Sequence, residues 1–256
     1  MKKRRVERYG AVDRTFEIKL DKPVRGLRAV KVFVVVLLAA LVVGLIIFGA
    51  KLYWADGPDR KTAETDAKID SAVSEQLLRI VNKTNPLDKD YVPELVEHDG
   101  YSVSVLADEQ LNAMIEAAKE KGIELSVSSA YISYDEQKKL YTEKYKYNRN
   151  KYNLSEVRAQ AKTESDVPQA GNSEAQTGLL VTFGTNGRFD GSKASRWLKD
   201  NCIGFGFIWR YPTDKTDSTS MDPNQQVYRY VGTDNAQMMR SLNKSLNEYV
   251  LYINSR

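Results

Sequence analysis

The sequence predicts an α+β fold, a small mixed or antiparallel sheet flanked by helices, preceded by one N-terminal transmembrane helix. Three observations lead there. Residues 32–50, VFVVVLLAALVVGLIIFGA, form a run of 19 uncharged, almost wholly apolar residues. Beyond them, stretches with apolar residues at helical spacing interleave in mixed order with short stretches of strand-like alternation. The charge is also segregated: residues 1–31 hold 11 Lys or Arg against 4 Asp or Glu, leaving 27 against 30 for the remainder.

Residues 1–31 read as a basic cytoplasmic tail. At a rise of roughly 1.5 Å per residue the run at 32–50 matches a bilayer's hydrocarbon thickness. Lys31 and Lys51 bracket it, and Tyr53 and Trp54 follow at the level of an interfacial aromatic belt. The basic flank precedes the run, so the positive-inside rule places residues 1–31 in the cytoplasm and the bulk of the chain outside a bacterial cell membrane, single-pass. Residues 51–75 read as a polar stalk, with Gly57-Pro58 as a local breaker. Residues 76–256 form the extracytoplasmic domain.

Apolar positions from Ala67 to Val81 recur at helical spacing, and Asn85-Pro86 argues for extended chain after them. Leu106–Lys121 is amphipathic, with Leu111, Met114, Ile115 and Ala118 on one face and Gly122 placed to end it. Ile123–Ser128 alternates as a half-buried strand. Helices are expected at Asp135–Tyr147, Leu154–Ala161 and Ser192–Asn201, and strands at Gly178–Phe183, residues 204–209 and Val227–Val231. A long closing helix is expected over Asp234–Ile253, with Met238, Leu242, Leu246 and Val250 on one side.

Composition excludes several functions. The domain lacks the basic excess that nucleic-acid binding needs, so no nucleic-acid partner is expected. The single cysteine, Cys202, rules out an intramolecular disulfide and a Cys-rich metal site and reads as a small buried hydrophobe. The single histidine, His98, reads as an exposed loop residue. Acids at Glu174, Asp190, Asp217 or Asp222 could form only an oxygen-ligand site, suited to calcium or magnesium.

Four stretches carry a resemblance. Ser173 to Thr182 reads Ser-Glu-Ala-Gln-Thr-Gly-Leu-Leu-Val-Thr; Arg229-Tyr230-Val231-Gly232 and Arg210-Tyr211-Pro212 follow; Ser129-Ala130-Tyr131-Ile132-Ser133 precedes. Together with Leu78–Val96, which holds Asn-Lys-Thr-Asn-Pro-Leu, they resemble the VanY-type D-alanyl-D-alanine carboxypeptidases, zinc peptidases that trim peptidoglycan stem peptides. The resemblance runs from there to the C-terminus. It implies a zinc held by two His and one Asp, a Glu as base and an Arg on the substrate. Those positions carry Ala175, Val227, Thr182, Asn224 and Ile132, although a two-residue insertion would put Asp222 in the base's place. One imidazole cannot supply two histidine ligands.

The resemblance and its departures together imply a degenerate member: not an enzyme, with no catalytic or metal residues and the family zinc lost. It would bind or sense peptidoglycan stem peptide, or dock a cell-envelope protein, while residues 32–50 engage the lipid bilayer. Tyr134, Gln137, Ser173 and Gln176 are the candidate substrate contacts. The alternative is an active carboxypeptidase with a non-standard metal centre.

Overall fold

The structure is a computed structural model that describes residues 70–184 and 188–255. The expected tail at 1–31, the run at 32–50 and most of the stalk lie outside the described residues. Among those described, no helix is long and apolar enough to cross a membrane. The α+β expectation holds, and the main sheet is wholly antiparallel.

The described chain begins in a helix, α1 (residues 70–78), and passes through Asn82–Asn85, where the Asn82 side-chain oxygen accepts from the Thr84 and Asn85 amides. A hairpin follows, β1 (Leu95–His98) and β2 (Tyr101–Ser104), with His98 opposite Tyr101. Asp99 at φ 50° and Gly100 at φ 82° form its two-residue turn, the left-handed pair that suits the twist of flanking strands.

Ser104 then caps α2 (Val105–Glu120), its hydroxyl accepting from the Leu106 amide at 3.3 Å. The helix buries Ala107, Leu111, Met114 and Ala118, its one continuous apolar stripe. β3 (Ser126–Ser129) leads to α3 (Tyr134–Lys151), which starts on a reciprocal capping box between Ser133 and Glu136. The antiparallel contact of α3 with α4 (Glu156–Glu164) is closed by Asn148 donating to Thr163 Oγ1 at 3.1 Å.

A 3₁₀ turn at Glu174–Thr177 precedes β4 (Leu180–Gly184). Then come α5 (Lys193–Asn201), capped by Ser192, a 3₁₀ turn at Cys202–Phe205, and β5 (Phe207–Tyr211). A short helix, α6 (Thr216–Thr219), precedes β6 (Asn224–Tyr230). The sheet order is β3-β4-β6-β5. Strand alternation splits the core between the two faces. Phe207 joins Val181, Phe183 and Tyr228 beneath α2, while Ile208 packs on the other side with Val231, Ala236, Met239 and Leu246. Each buried Val, Leu, Ile, Phe or Met among them contributes roughly 1.5–3 kcal/mol.

The expected long closing helix is two, α7 (Thr233–Ser241) and α8 (Leu246–Asn254). Asn243 takes φ 50° and Ser245 starts α8 with a capping box to Glu248, so the chain turns between them. The break alters the face: Met239 is buried and Met238 is exposed. His98 is also corrected. It is buried, with Nδ1 3.4 Å from the Asp108 carboxylate at the start of α2. Cys202 is buried as expected, and burial pushes its thiol up to about 12, which leaves it protonated and unreactive at neutral pH.

Candidate functional site

The motif stretches converge because the sheet brings them together. Thr182 on β4 and Val227 on β6 are direct cross-strand partners, although 45 residues of sequence separate them. The Ile132 amide donates to the Ala175 carbonyl at 3.3 Å, which ties the loop before α3 to the 3₁₀ turn. Ile132, Ala175, Thr182, Asn224 and Val227 therefore line one cavity of about 220 Å³, joined by Gln137, Ser173 and Asp222.

A larger cavity of about 560 Å³ adjoins it, and Pro168, Tyr211 and Met221 belong to both linings. Asn82, Lys83, Glu164, Arg210 and Asn247 contribute to the larger one. The wall of the smaller is held by backbone and side-chain bonds: Gln137 Nε2 donates to the Pro168 carbonyl at 2.6 Å, and the Asp222 amide donates to the Ser165 carbonyl at 2.7 Å.

Beneath the 3₁₀ turn lies a buried charge cluster that the sequence did not reveal. Arg210 Nε and Nη2 each reach a Glu174 carboxylate oxygen at 2.7 Å, and Nη2 also donates to Asn247 Oδ1 at 2.7 Å. Arg229 Nη1 lies 3.1 Å from Glu174 Oε2 as an ion pair without hydrogen-bond geometry, while its Nη2 donates to the Arg79 carbonyl at 3.0 Å. Burial works to raise the Glu174 carboxyl, but the two guanidinium groups outweigh it and hold the carboxyl below the usual range. The cluster braces the turn from below. Burial, reinforced by the negative Glu174, pushes the Tyr211 phenol above its ordinary value, so its hydroxyl stays protonated beside both cavities.

From the other side Gly178 fixes the turn. It takes φ 68°, and its carbonyl accepts from the Ser104 amide at 2.8 Å. A Cβ there would sit 2.9 Å from Ser104 N and 3.0 Å from Leu95 Cδ2, so the close approach and the left-handed backbone both require glycine.

The four candidate contacts fall in different places. Gln137 and Ser173 line the smaller cavity. Gln176 is buried, with Oε1 accepting from the Gly171 amide at 2.7 Å. Tyr134 begins α3, its ring facing Gly171 and absent from both linings. Of the candidate acids, Glu174 is held in its cluster, Asp190 lies 3.3 Å from Arg188 Nη2 and Asp222 is at the cavity rim, so these three do not assemble; the Asp217 side chain lies outside those described. Among the described residues no group of three His, Cys, Asp or Glu could hold a metal.

At the three zinc positions implied by the resemblance, Ala175 and Val227 offer no donor atom and Thr182 offers a hydroxyl. His98 belongs to the β1–β2 hairpin and lines neither cavity. The residues present do not fit a two-His, one-Asp zinc site.

The family model for VanY-type D-alanyl-D-alanine carboxypeptidases matches residues 101–233. A D-alanyl-D-alanine carboxypeptidase of Enterococcus faecalis is 33% identical over 199 residues, covering 77% of this chain and 73% of that protein. Among solved structures, a variant of the D,D-pentapeptidase VanY from the VanB-type resistance cassette in complex with Zn(II) is 32% identical, with a TM-score of 0.63, covering 69% of this chain and 99% of that one. VanYB in complex with D-alanine-D-alanine is similar at 32% identity and TM-score 0.63, over 68% of this chain and 96% of that one.

These relatives correct two expectations. The reading of the chain as a non-enzyme is overturned by enzymes about one-third identical over most of its length. The expectation of no cofactor is overturned by a relative solved with Zn(II), which makes zinc the cofactor to which the family points. That pointer and this chain's donor set disagree at Ala175, Thr182 and Val227. The family model, the identity and the shared fold agree: the chain belongs to the VanY family of D-alanyl-D-alanine carboxypeptidases.

Proposed function

We propose that this chain acts on peptidoglycan stem peptides in the paired cavities, on the outer side of the membrane that residues 32–50 anchor it to. The observation that carries the reading is the convergence of Ile132, Ala175, Thr182, Asn224 and Val227 on one cavity, with Gln137 and Ser173 in its wall. The cavity's volume of about 220 Å³ suits a dipeptide end, and the adjoining one of about 560 Å³ leaves room for the residues that precede it. The binding of D-alanine-D-alanine by a relative supports the ligand class. The apolar run and its charged flanks support the anchor.

The chain's own groups define what the cleft offers. Tyr211 keeps a protonated hydroxyl on the shared wall. Asp222 places a carboxylate at the rim, where its Oδ2 accepts from Ser165 Oγ at 3.2 Å, and Asn224 and Thr182 add neutral polar groups. The test uses full-length protein in lipid nanodiscs with synthetic stem pentapeptides, reading binding by calorimetry and D-alanine release by chromatography, with and without added zinc. Saturable binding is the expected result, and D-alanine release assigns the reaction. Absence of binding to every stem peptide refutes the reading. Deleting residues 32–50 is expected to move the chain from the membrane fraction to the soluble one, and its retention on the membrane would overturn the anchor.

A further inference from the structure

A third cavity, of about 340 Å³, lies at the β5 edge of the sheet and shares no residue with the two cavities of the cleft. The end of α5, the strand β5, α7 and the turn before α8 enclose it. Its floor is apolar, with Ile203, Ile208 and Met239. The Trp209 indole stands in the wall, fixed by Nε1 donating to the Asn224 carbonyl at 2.7 Å. Around this floor are four cations, Lys199, Lys215, Arg240 and Lys244, against one acid, Asp214. The excess is local, since residues 32–256 hold 27 Lys or Arg against 30 Asp or Glu.

Lys215 is neutralised by Glu248, 3.1 Å away. The other three have no carboxylate within ion-pair distance among the described residues. Lys199 Nζ donates to Gln225 Oε1 at 3.1 Å and lies 4.6 Å from the centre of the Trp209 ring. Lys244, half-buried, lies 5.4 Å from the centre of the Tyr252 ring. Aromatic rings hold a cation in place without cancelling its charge. Arg240 stands at the exposed mouth. The Cys202 thiol in the floor is pushed up by burial and drawn partly back by the Arg240 charge, so that guanidinium lies near the floor.

An apolar floor beneath three unneutralised cations suits one kind of ligand. A carboxylate is satisfied by a single guanidinium, whereas a phosphate monoester carries a charge of roughly −1.5 to −2 and three acceptor oxygens, which separate point charges such as lysines can share. The floor and the indole then receive the ester's apolar group, in a cleft of the size that small-molecule sites have. We infer that this cavity binds a phosphate monoester with an apolar or aromatic substituent, either a soluble one or the head of a lipid phosphate. The site is independent of the stem-peptide reading of the cleft.

The probe is phenyl phosphate, titrated by calorimetry into the full-length chain in phosphatidylcholine nanodiscs, with inorganic phosphate and phenol as controls. Phenyl phosphate is expected to saturate one site and to bind at least about tenfold more tightly than either control, since each control supplies only one of the two contacts. Replacing Arg240→Gln and Lys244→Gln together is expected to weaken it at least about tenfold, with the circular dichroism of the parent retained. Lys139→Gln, exposed on α3 and outside the cavity, is expected to leave it unchanged. Nanodiscs containing phosphatidic acid, against phosphatidylglycerol ones of matched charge, separate the sources. Phenyl phosphate shut out by phosphatidic acid supports the site and assigns it to a lipid phosphate; undiminished binding supports it and assigns a soluble ester. Absence of saturable binding overturns the inference, as does inorganic phosphate binding as tightly as the ester. Full affinity in the double variant, or an equal loss in Lys139→Gln, also overturns it.

Discussion

Glu174→Gln tests the buried charge cluster. Its side chain is 3% exposed, and among the described residues it is the one carboxylate ion-paired with Arg210 and Arg229, at 3% and 0% exposure. Glutamine keeps the shape and one acceptor oxygen but leaves two guanidinium charges confined without a counter-charge. Breaking a buried pair in this way costs about 3–5 kcal/mol. In a folded unit spanning residues 67–256, each kcal/mol shifts the midpoint by roughly 2–4 °C, so a fall in Tm of about 6–20 °C is expected by scanning calorimetry. Arg210→Met is the informative control, because it leaves Glu174 and Arg229 charge-balanced and should cost less. A loss for Arg210→Met equal to or larger than that for Glu174→Gln would refute the reasoning. The pH dependence has a fixed sign. A carboxyl held low in the folded state contributes fully above its unfolded value, near roughly pH 4.3, and that contribution is lost as pH falls through the lower folded value. The Tm gap between parent and Glu174→Gln should therefore be wide at pH 7 and shrink on acidification; a constant gap would count against the assignment.

Three further outcomes are expected. Gly178→Ala adds left-handed strain and a contact at 2.9 Å to the Ser104 nitrogen, so the urea midpoint should fall by an amount equivalent to about 2–5 kcal/mol. Gln137→Leu leaves the Pro168 carbonyl without its donor, costing about 1–3 kcal/mol, with faster amide exchange expected along residues 166–169. Ala175→His, Thr182→Asp and Val227→His together add three donors around one cavity, two of them on the directly paired residues of β4 and β6. Zinc at about a hundred times its dissociation constant should then stabilise that variant by about 2.7 kcal/mol, read as a zinc-dependent Tm rise larger than the parent's.

Much of this arrangement was legible in the sequence. The family resemblance carried by Ser173, Gly178 and the intact Arg229-Tyr230-Val231-Gly232 implied that Ala175, Thr182 and Val227 share one site, and the pairing of Thr182 with Val227 and the common cavity lining agree with it. Helical periodicity located α2 because its stripe of Leu111, Met114 and Ala118 is continuous. Local chemistry was also present but not used. Asp99-Gly100 is a hairpin turn signal, and Ser245 followed three residues later by Glu248 is a helix-start signal. What no local reading supplies is contact between distant charges. Arg210 and Arg229 sit on neighbouring strands and Glu174 in a turn before a third, so their meeting follows from sheet order alone. His98 is hidden by the same kind of long-range packing, through Asp108 on the next helix.

The turn at Glu174–Thr177 has a consequence for how this cleft can change. What grips it is an ionic knot on one side and a glycine carbonyl on the other, and neither involves the side chain of Ala175 that it presents. The bonds that hold the turn are thus separate from the group it presents, so a change of side chain at residue 175 removes none of them.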